Sequence, residues 1–422
     1  MKRTFAFFIF SISVLFGAAQ DRTLYEKYVK DLSDNAFYGR SDYMDGSSNA
    51  MRYIIDNLNV NASYSLQLFD YPMNTFRGNM EAYIDGKKLK LFSDYVVKEF
   101  STGRVGTFNL FYLDRDFYNP QKFIQYLNQD QFSNSFIVID FKLFKKKFFK
   151  KGIEPYQTYL GKLNKVAGIV FTTDSRPIAF KSRAHYTSPF PVLLAGPSFP
   201  KEAKEIYINL ENEFKESHTA NNIVAWLPGK NKSEEKYYVI CAHYDHLGIM
   251  GRDNIMAGAN DNASGVAMAL TLLNYYSEQK NRLDYPIMFL FFEGEEANLL
   301  GSIFYADHPV RPLKGIKCLI NMDMVGDTGP SLTFQANDGN VDLLKSINKS
   351  GNYFKKIIRD NLWDESDHYP FAVKGVPFIY LTVDGVNKEK YYHSPFDTFS
   401  NFSSEKYDNL FNLITNFISS HK

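Results

Sequence analysis

The chain has 422 residues, enough for two or three domains of ordinary size. Lys and Arg number 48 against 47 Asp and Glu, and a net charge of +1 excludes the basic excess of a nucleic-acid binder. With 45% hydrophobic and 16% aromatic residues it is not a disordered chain, and two cysteines exclude a disulfide scaffold, an iron–sulfur protein and a cysteine-rich zinc module.

Lys2 and Arg3, then the apolar stretch 4–17, then Gly17-Ala18-Ala19, predict a signal peptide over residues 1–19 with cleavage before Gln20. The mature chain is therefore expected to be exported, periplasmic or secreted. No apolar run of 18 residues follows, so no stable membrane anchor is expected after cleavage.

Residues 24–58 predict two helices, through Leu24, Tyr28 and Leu32 and through Ala50, Ile54 and Leu58, separated by a turn-rich loop with Gly39-Arg40. From 75 to about 215 the texture is β-rich. Thr107–Leu113, Phe136–Ile139 and Gly168–Phe171 predict strands. Glu154-Pro155 opens a predicted helix carrying Tyr156, Leu160, Leu163 and Val166. The lysines at 145–147, 150 and 151 read as a solvated face.

Beyond Asn221, apolar strands alternate with helices. The strands are predicted over Tyr237–Ala242, Pro286–Phe292, Ile316–Met322 and Val376–Val383, and helices over Ser264–Tyr276 and Lys406–Ile418. This predicts an α/β fold, a mostly parallel, mixed sheet flanked by helices on both faces. Cys241 and Cys318 lie inside these strands and are expected to be buried free thiols. The changes of texture divide the chain into one unit of 20–75 and 216–422 and an inserted, smaller β-rich α/β domain at 76–215.

In open α/β sheets ligands bind beyond the carboxyl ends of the strands. His243, Glu296, Asp323 and His393 follow the four strands, and Asp261 precedes the first helix. Two imidazoles and three carboxylates without sulfur suit Zn²⁺. Two ions bridged by one carboxylate would use all five. Alternation within His243-Tyr244-Asp245 predicts that the Asp245 carboxylate accepts the second imidazole N–H of His243. It also places His246 on the other face, as a structural residue. Glu295, adjacent to Glu296 but free of metal, is a candidate general base.

These stretches resemble the M28 family of zinc peptidases: AHYDHLG at 242–248, GANDNASG at 258–265, GEEANLLGS at 294–302, NMDMVG at 321–326, SDH at 366–368 and YHSPFDT at 392–398. The 24–58 segment is similar to the family's lead-in, and 76–215 looks loosely like a protease-associated domain. The resemblance implies an exported metallo-aminopeptidase with two Zn²⁺ per chain acting on peptide substrates. His243 and Asp323 would hold one ion, Glu296 and His393 the other, Asp261 would bridge them, and Glu295 would be the base. Asn260 and Phe396 stand where many members carry Asp. The alternatives are a single-zinc glutaminyl cyclase, a carboxypeptidase for acidic dipeptides, and a non-catalytic binding protein of the same fold.

Overall fold

The computed structural model describes residues 22–149, 158–175, 184–231 and 235–421. The predicted signal segment 1–19, Lys150, Lys151 and the predicted helix start at 154–156 lie outside the described residues. Two compact units are present. The first comprises the described residues up to Asp70, Thr219–Gly248 and those from Ile255; the second comprises Tyr71–His218 and Ile249–Asn254. Residues 71–75, 216–218 and 249–254, expected in the first unit, belong to the second. There Met250 bridges to Phe76, and the Gly251 N–H donates to the Phe76 carbonyl at 2.8 Å.

The first unit is built on an eight-stranded sheet. Its strands are β1 (Ser63–Thr75), β2 (Glu213–Leu227), β3 (Tyr237–His243), β4 (Ile287–Phe292), β5 (Ile316–Met322), β6 (Ser331–Ala336), β7 (Lys356–Arg359) and β8 (Phe378–Val383), in spatial order β1-β2-β4-β3-β5-β8-β6-β7. The strands β4, β3, β5 and β8 run parallel to one another, while β2 and β6 pair antiparallel to β4 and β8. The sheet is thus mixed with a parallel centre.

Those four central strands are near-continuous apolar runs because both faces are covered. In β3 the side chains of Tyr238, Ile240 and Ala242 enter one core, while Tyr237, Val239 and Cys241 enter the other. The first core also takes the helix Ser264–Ser277, the helix Tyr407–Ser420, and Tyr25, Tyr28, Val29, Leu32, Ala50 and Ile54 from the two N-terminal helices. The strands lie about 4.8 Å apart. The pairings His243↔Phe292, Cys241↔Asn321 and Met322↔Leu381 therefore bring their carboxyl ends into one row. Both cysteines are buried and unpaired. No described helix is long and apolar enough to cross a membrane.

The second unit holds another eight-stranded sheet, in which the strands Arg104–Tyr112, Ser135–Asp140, Gly168–Thr172 and Val192–Ala195 are parallel neighbours. The predicted helix does not reach Leu163 and Val166. A short 3₁₀ turn at Leu160–Lys162 ends first, and both side chains enter the core from a loop. Their burial copied a helical period without a helix.

Candidate metal centre

The row of strand ends assembles the site. His243 is the last residue of β3, Asp323 follows β5, and Glu295 and Glu296 lie in the turn after β4. His393 comes from the loop beyond β8, and Asp261 from the turn Ala259–Ala263 that leads into the helix Ser264–Ser277. All five candidate ligands are at most 8% exposed.

Asp261 stands between the two histidines and divides its oxygens. Its Oδ1 is 3.4 Å from His243 Nε2, and its Oδ2 is 3.1 Å from His393 Nε2. Asp323 Oδ1 completes the first side at 3.4 Å from His243 Nε2, and Glu296 Oε2 the second at 3.3 Å from His393 Nε2. Ligand atoms about 2.0–2.1 Å from a tetrahedral Zn²⁺ are about 3.3 Å from one another. Four pairings at this spacing, in a sulfur-free set of imidazoles and carboxylates, fit zinc.

Neighbouring groups fix these side chains. Ser366 Oγ donates to Asp323 Oδ2 at 2.8 Å and accepts from Asn321 Nδ2 at 2.8 Å, which leaves Oδ1 for the His243 side. His243 Nδ1–H donates to the main-chain oxygen of Asp245 at 3.2 Å, whereas the Asp245 carboxylate stands at 3.6 Å. The backbone oxygen is the nearer partner, and the expected carboxylate stands beside it within ion-pair reach of the same nitrogen. The strand ends at His243, so alternation no longer governs residue 245. The Asp245 Oδ1 instead accepts from the Glu295 N–H at 3.3 Å.

Sequence reasoning gave no role to Arg40 or Asp397. Arg40, fully buried, donates to the carbonyls of Leu32, Tyr244, Ala257, Gly258 and Asp261 at 2.6–3.0 Å. Burial pulls its guanidinium down to about 10, against the field of Asp261, Asp397, Asp245 and Glu296. Asp397 accepts from the N–H groups of Asn260 and Asp261, both at 2.9 Å. The Asp261 peptide is therefore gripped at its N–H and at its carbonyl. Asp397 lies inside the YHSPFDT stretch, which could have flagged it. No sequence signal announces a guanidinium that gathers five carbonyls.

The charges in the cluster set one another. Burial works against charge on His243 and His393, yet Glu295 and Asp323 hold the first well above the usual imidazole range. Glu296 and Asp261 hold the second near 10. Burial also works against the carboxylates, but the neighbouring histidines hold Asp261 well below the usual range and Glu296 near 2. Glu295 goes the other way. Burial and the adjacent Glu296, Asp323 and Asp367 raise it well above the usual range, although His243 opposes them. Its Oε2 is 3.9 Å from His243 Nε2, facing the cluster without joining the tetrahedral spacing.

The profile of Peptidase family M28 matches residues 222–418, the stretch that carries every one of these ligands. Over those residues the chain is similar to peptidase family M28. Aminopeptidase YwaD of Bacillus subtilis (strain 168) is 29% identical over 210 residues, covering 47% of this chain and 44% of that protein. The chain thus spans less than half the length of this curated relative. BSAP, a zinc aminopeptidase from Bacillus subtilis, has the same fold, with a TM-score of 0.70 at 19% identity over 94% of each chain. An aminopeptidase from Aneurinibacillus sp. strain AM-1 gives 0.69 at 20% identity over 95% of this chain and 93% of that one. At such identities these two likenesses establish the fold of this chain, not its substrate.

Proposed function

We propose that this chain is an exported di-zinc aminopeptidase that hydrolyses peptide bonds at free N-termini. The observation that carries the reading is the divided Asp261 carboxylate, with one oxygen toward each of His243 and His393. Asp323 and Glu296 would complete the two sites. Zinc held by such a set supplies Lewis acidity, which lets water ionise near neutral pH and polarises the scissile carbonyl. Glu295 would take the proton of the attacking water and return it to the leaving amine. Asp245 would orient His243 through its carbonyl and the Glu295 peptide through its carboxylate. The charged and apolar N-terminal stretch supports export, with Gln20 as the mature N-terminus, and 76–215 is read as a protease-associated-like insert.

The test combines zinc content with a screen of aminoacyl chromogenic substrates, N-blocked peptides, N-terminal glutaminyl peptides and peptides ending in an acidic residue. About two zinc per chain and cleavage only where the N-terminus is free support the reading. One zinc with cyclisation of glutaminyl peptides makes the protein a cyclase. Release of C-terminal acidic residues makes it a carboxypeptidase. Zinc-supplemented protein that retains no metal is a binding module.

A further inference from the structure

We propose that His246 is a positioning residue for Glu296, holding one carboxylate oxygen so that the other faces the His393 side of the centre. This rests on the zinc reading above. The predicted strand alternation set His246 on an opposite, structural face; the chain has left the strand by then, and the side chain turns into the centre. His246 is fully buried, and its Nδ1 lies 2.7 Å from Glu296 Oε1. That distance is a hydrogen bond, shorter than the spacing of about 3.3 Å between two ligands on one tetrahedral zinc. The next oxygen, Asp261 Oδ2, is 3.9 Å away. The ring therefore serves as a donor to a ligand, with its proton on Nδ1.

Three further observations favour this role. The other oxygen of Glu296, Oε2, is the one 3.3 Å from His393 Nε2, so the donor and the prospective ion occupy opposite oxygens of one carboxylate. Asp323 is arranged the same way, with Ser366 Oγ on Oδ2 and Oδ1 toward His243. The two terminal carboxylates are thus each fixed by one donor, while the bridging Asp261 divides its two oxygens between the histidines. Second, His246 Nε2 is buried with no hydrogen-bond partner among the described residues. Third, the ring is closely packed: a Cβ at Gly258 would lie 2.5 Å from its Cδ2, and the main-chain N–H of His246 donates to the Arg40 carbonyl at 3.2 Å, which fixes the backbone that carries the ring. Gly258 has φ +62°, a conformation in which glycine brings the backbone against the ring.

Zinc ligands that lose such an outer partner typically lose about 10- to 100-fold in metal affinity. The experiment is a competitive chelator titration of the full chain, comparing His246→Leu, His246→Gln and His246→Asn with the unchanged protein. An Asn amide reaches about where Nδ1 sits, while Gln places its amide near Nε2 and Leu offers no donor. The expected result is one zinc weakened about 10- to 100-fold in the Leu and Gln variants, the second unchanged, and His246→Asn within a few-fold of the parent. Circular dichroism on the metal-free proteins identifies any variant that fails to fold; Gln and Asn alone then suffice for the comparison. Two unweakened sites in the Leu or Gln variant, or equal weakening in all three, overturns the proposal. If the unchanged protein binds only one zinc, the two-metal reading fails, while the ratio between Gln and Asn variants still decides the role of His246.

Discussion

Glu295 and Glu296 are neighbours in sequence with opposite surroundings, and replacing each with Gln separates chemistry from metal binding. Glu295→Gln keeps the shape of the side chain and removes its basicity. Loss of a general base costs about 10²- to 10⁴-fold in rate, which is about 2.7–5.4 kcal/mol of barrier at 1.36 kcal/mol per decade. Zinc content should not change, because the Glu295 oxygen nearest His243 stands off at 3.9 Å. The metal-free fold should tolerate the change, since burial and three carboxylates already press Glu295 toward its neutral form. Glu296→Gln acts on a side chain only 1% exposed, whose oxygens lie 2.7 Å from His246 Nδ1 and 3.3 Å from His393 Nε2. An amide cannot present two acceptor oxygens to these two partners, and it carries no charge for a cation. One zinc should therefore loosen first, by about tenfold or more. Elemental analysis and hydrolysis of an aminoacyl chromogenic substrate on the same preparations give the readout. If Glu295→Gln strips zinc while Glu296→Gln keeps both ions, the two roles are reversed. If neither change affects the rate, the chemistry lies elsewhere.

Arg40→Met removes the donor to five buried carbonyls and should cost at least about 3 kcal/mol by denaturant unfolding, with zinc loss accompanying it because the Asp261 carbonyl is among the five. His368 is buried, its Nε2 donates to Gln335 Oε1 at 2.9 Å, and burial depresses it to about 3. With an unfolded value near 6.5, its contribution is fully present above pH 6.5 and is lost as the pH falls toward 3, about 2 kcal/mol of it by pH 5. The raised His243 and His393 oppose this term in metal-free protein, so the readout is the difference between parent and His368→Gln at pH 7 and pH 5; the variant should gain about 2 kcal/mol relative to the parent on going to pH 5, and an unchanged difference refutes the assignment. Leu290, on the central strand β4, is fully buried, and Leu290→Ala should cost about 2–5 kcal/mol by the same unfolding measurement. The folded fraction should keep its zinc, because Leu290 faces the core and not the row of strand ends.

The parts of this fold that were legible in the sequence are those whose environment repeats along the chain. β3, β4, β5 and β8 are buried on both faces, so each shows as an unbroken apolar run, and the residues after each run could be read as one edge. β1, β6 and β7 carry exposed or half-buried residues, and their sequences (SYSLQLFDYPMNT, SLTFQA, KIIR) give no such run. They were missed for that reason, whereas β2 was missed although Ile223–Leu227 are buried, because its first half is exposed and polar. Leu163 and Val166 show the converse, since spacing alone cannot distinguish a helix from a loop that drops two side chains into a core.

The same physics explains which site residues were found. A ligand at a strand end is announced by the strand before it, and all five candidates came together in space. The groups that hold those ligands are announced by nothing local. Arg40 bonds to Tyr244, Ala257, Gly258 and Asp261 across 204 to 221 residues of sequence, and Asp397 reaches Asn260 and Asp261 across 136 and 137. His246 was misplaced because a period-two rule was carried three residues past His243, where the strand stops. Beyond that point the direction of the side chain is set by Gly258 closing over the ring and by the carboxylate it meets. The limit of the sequence argument in this site is therefore the last hydrogen-bonded residue of each strand: ligands at or just beyond it are readable, and the donors that aim them depend on tertiary contacts.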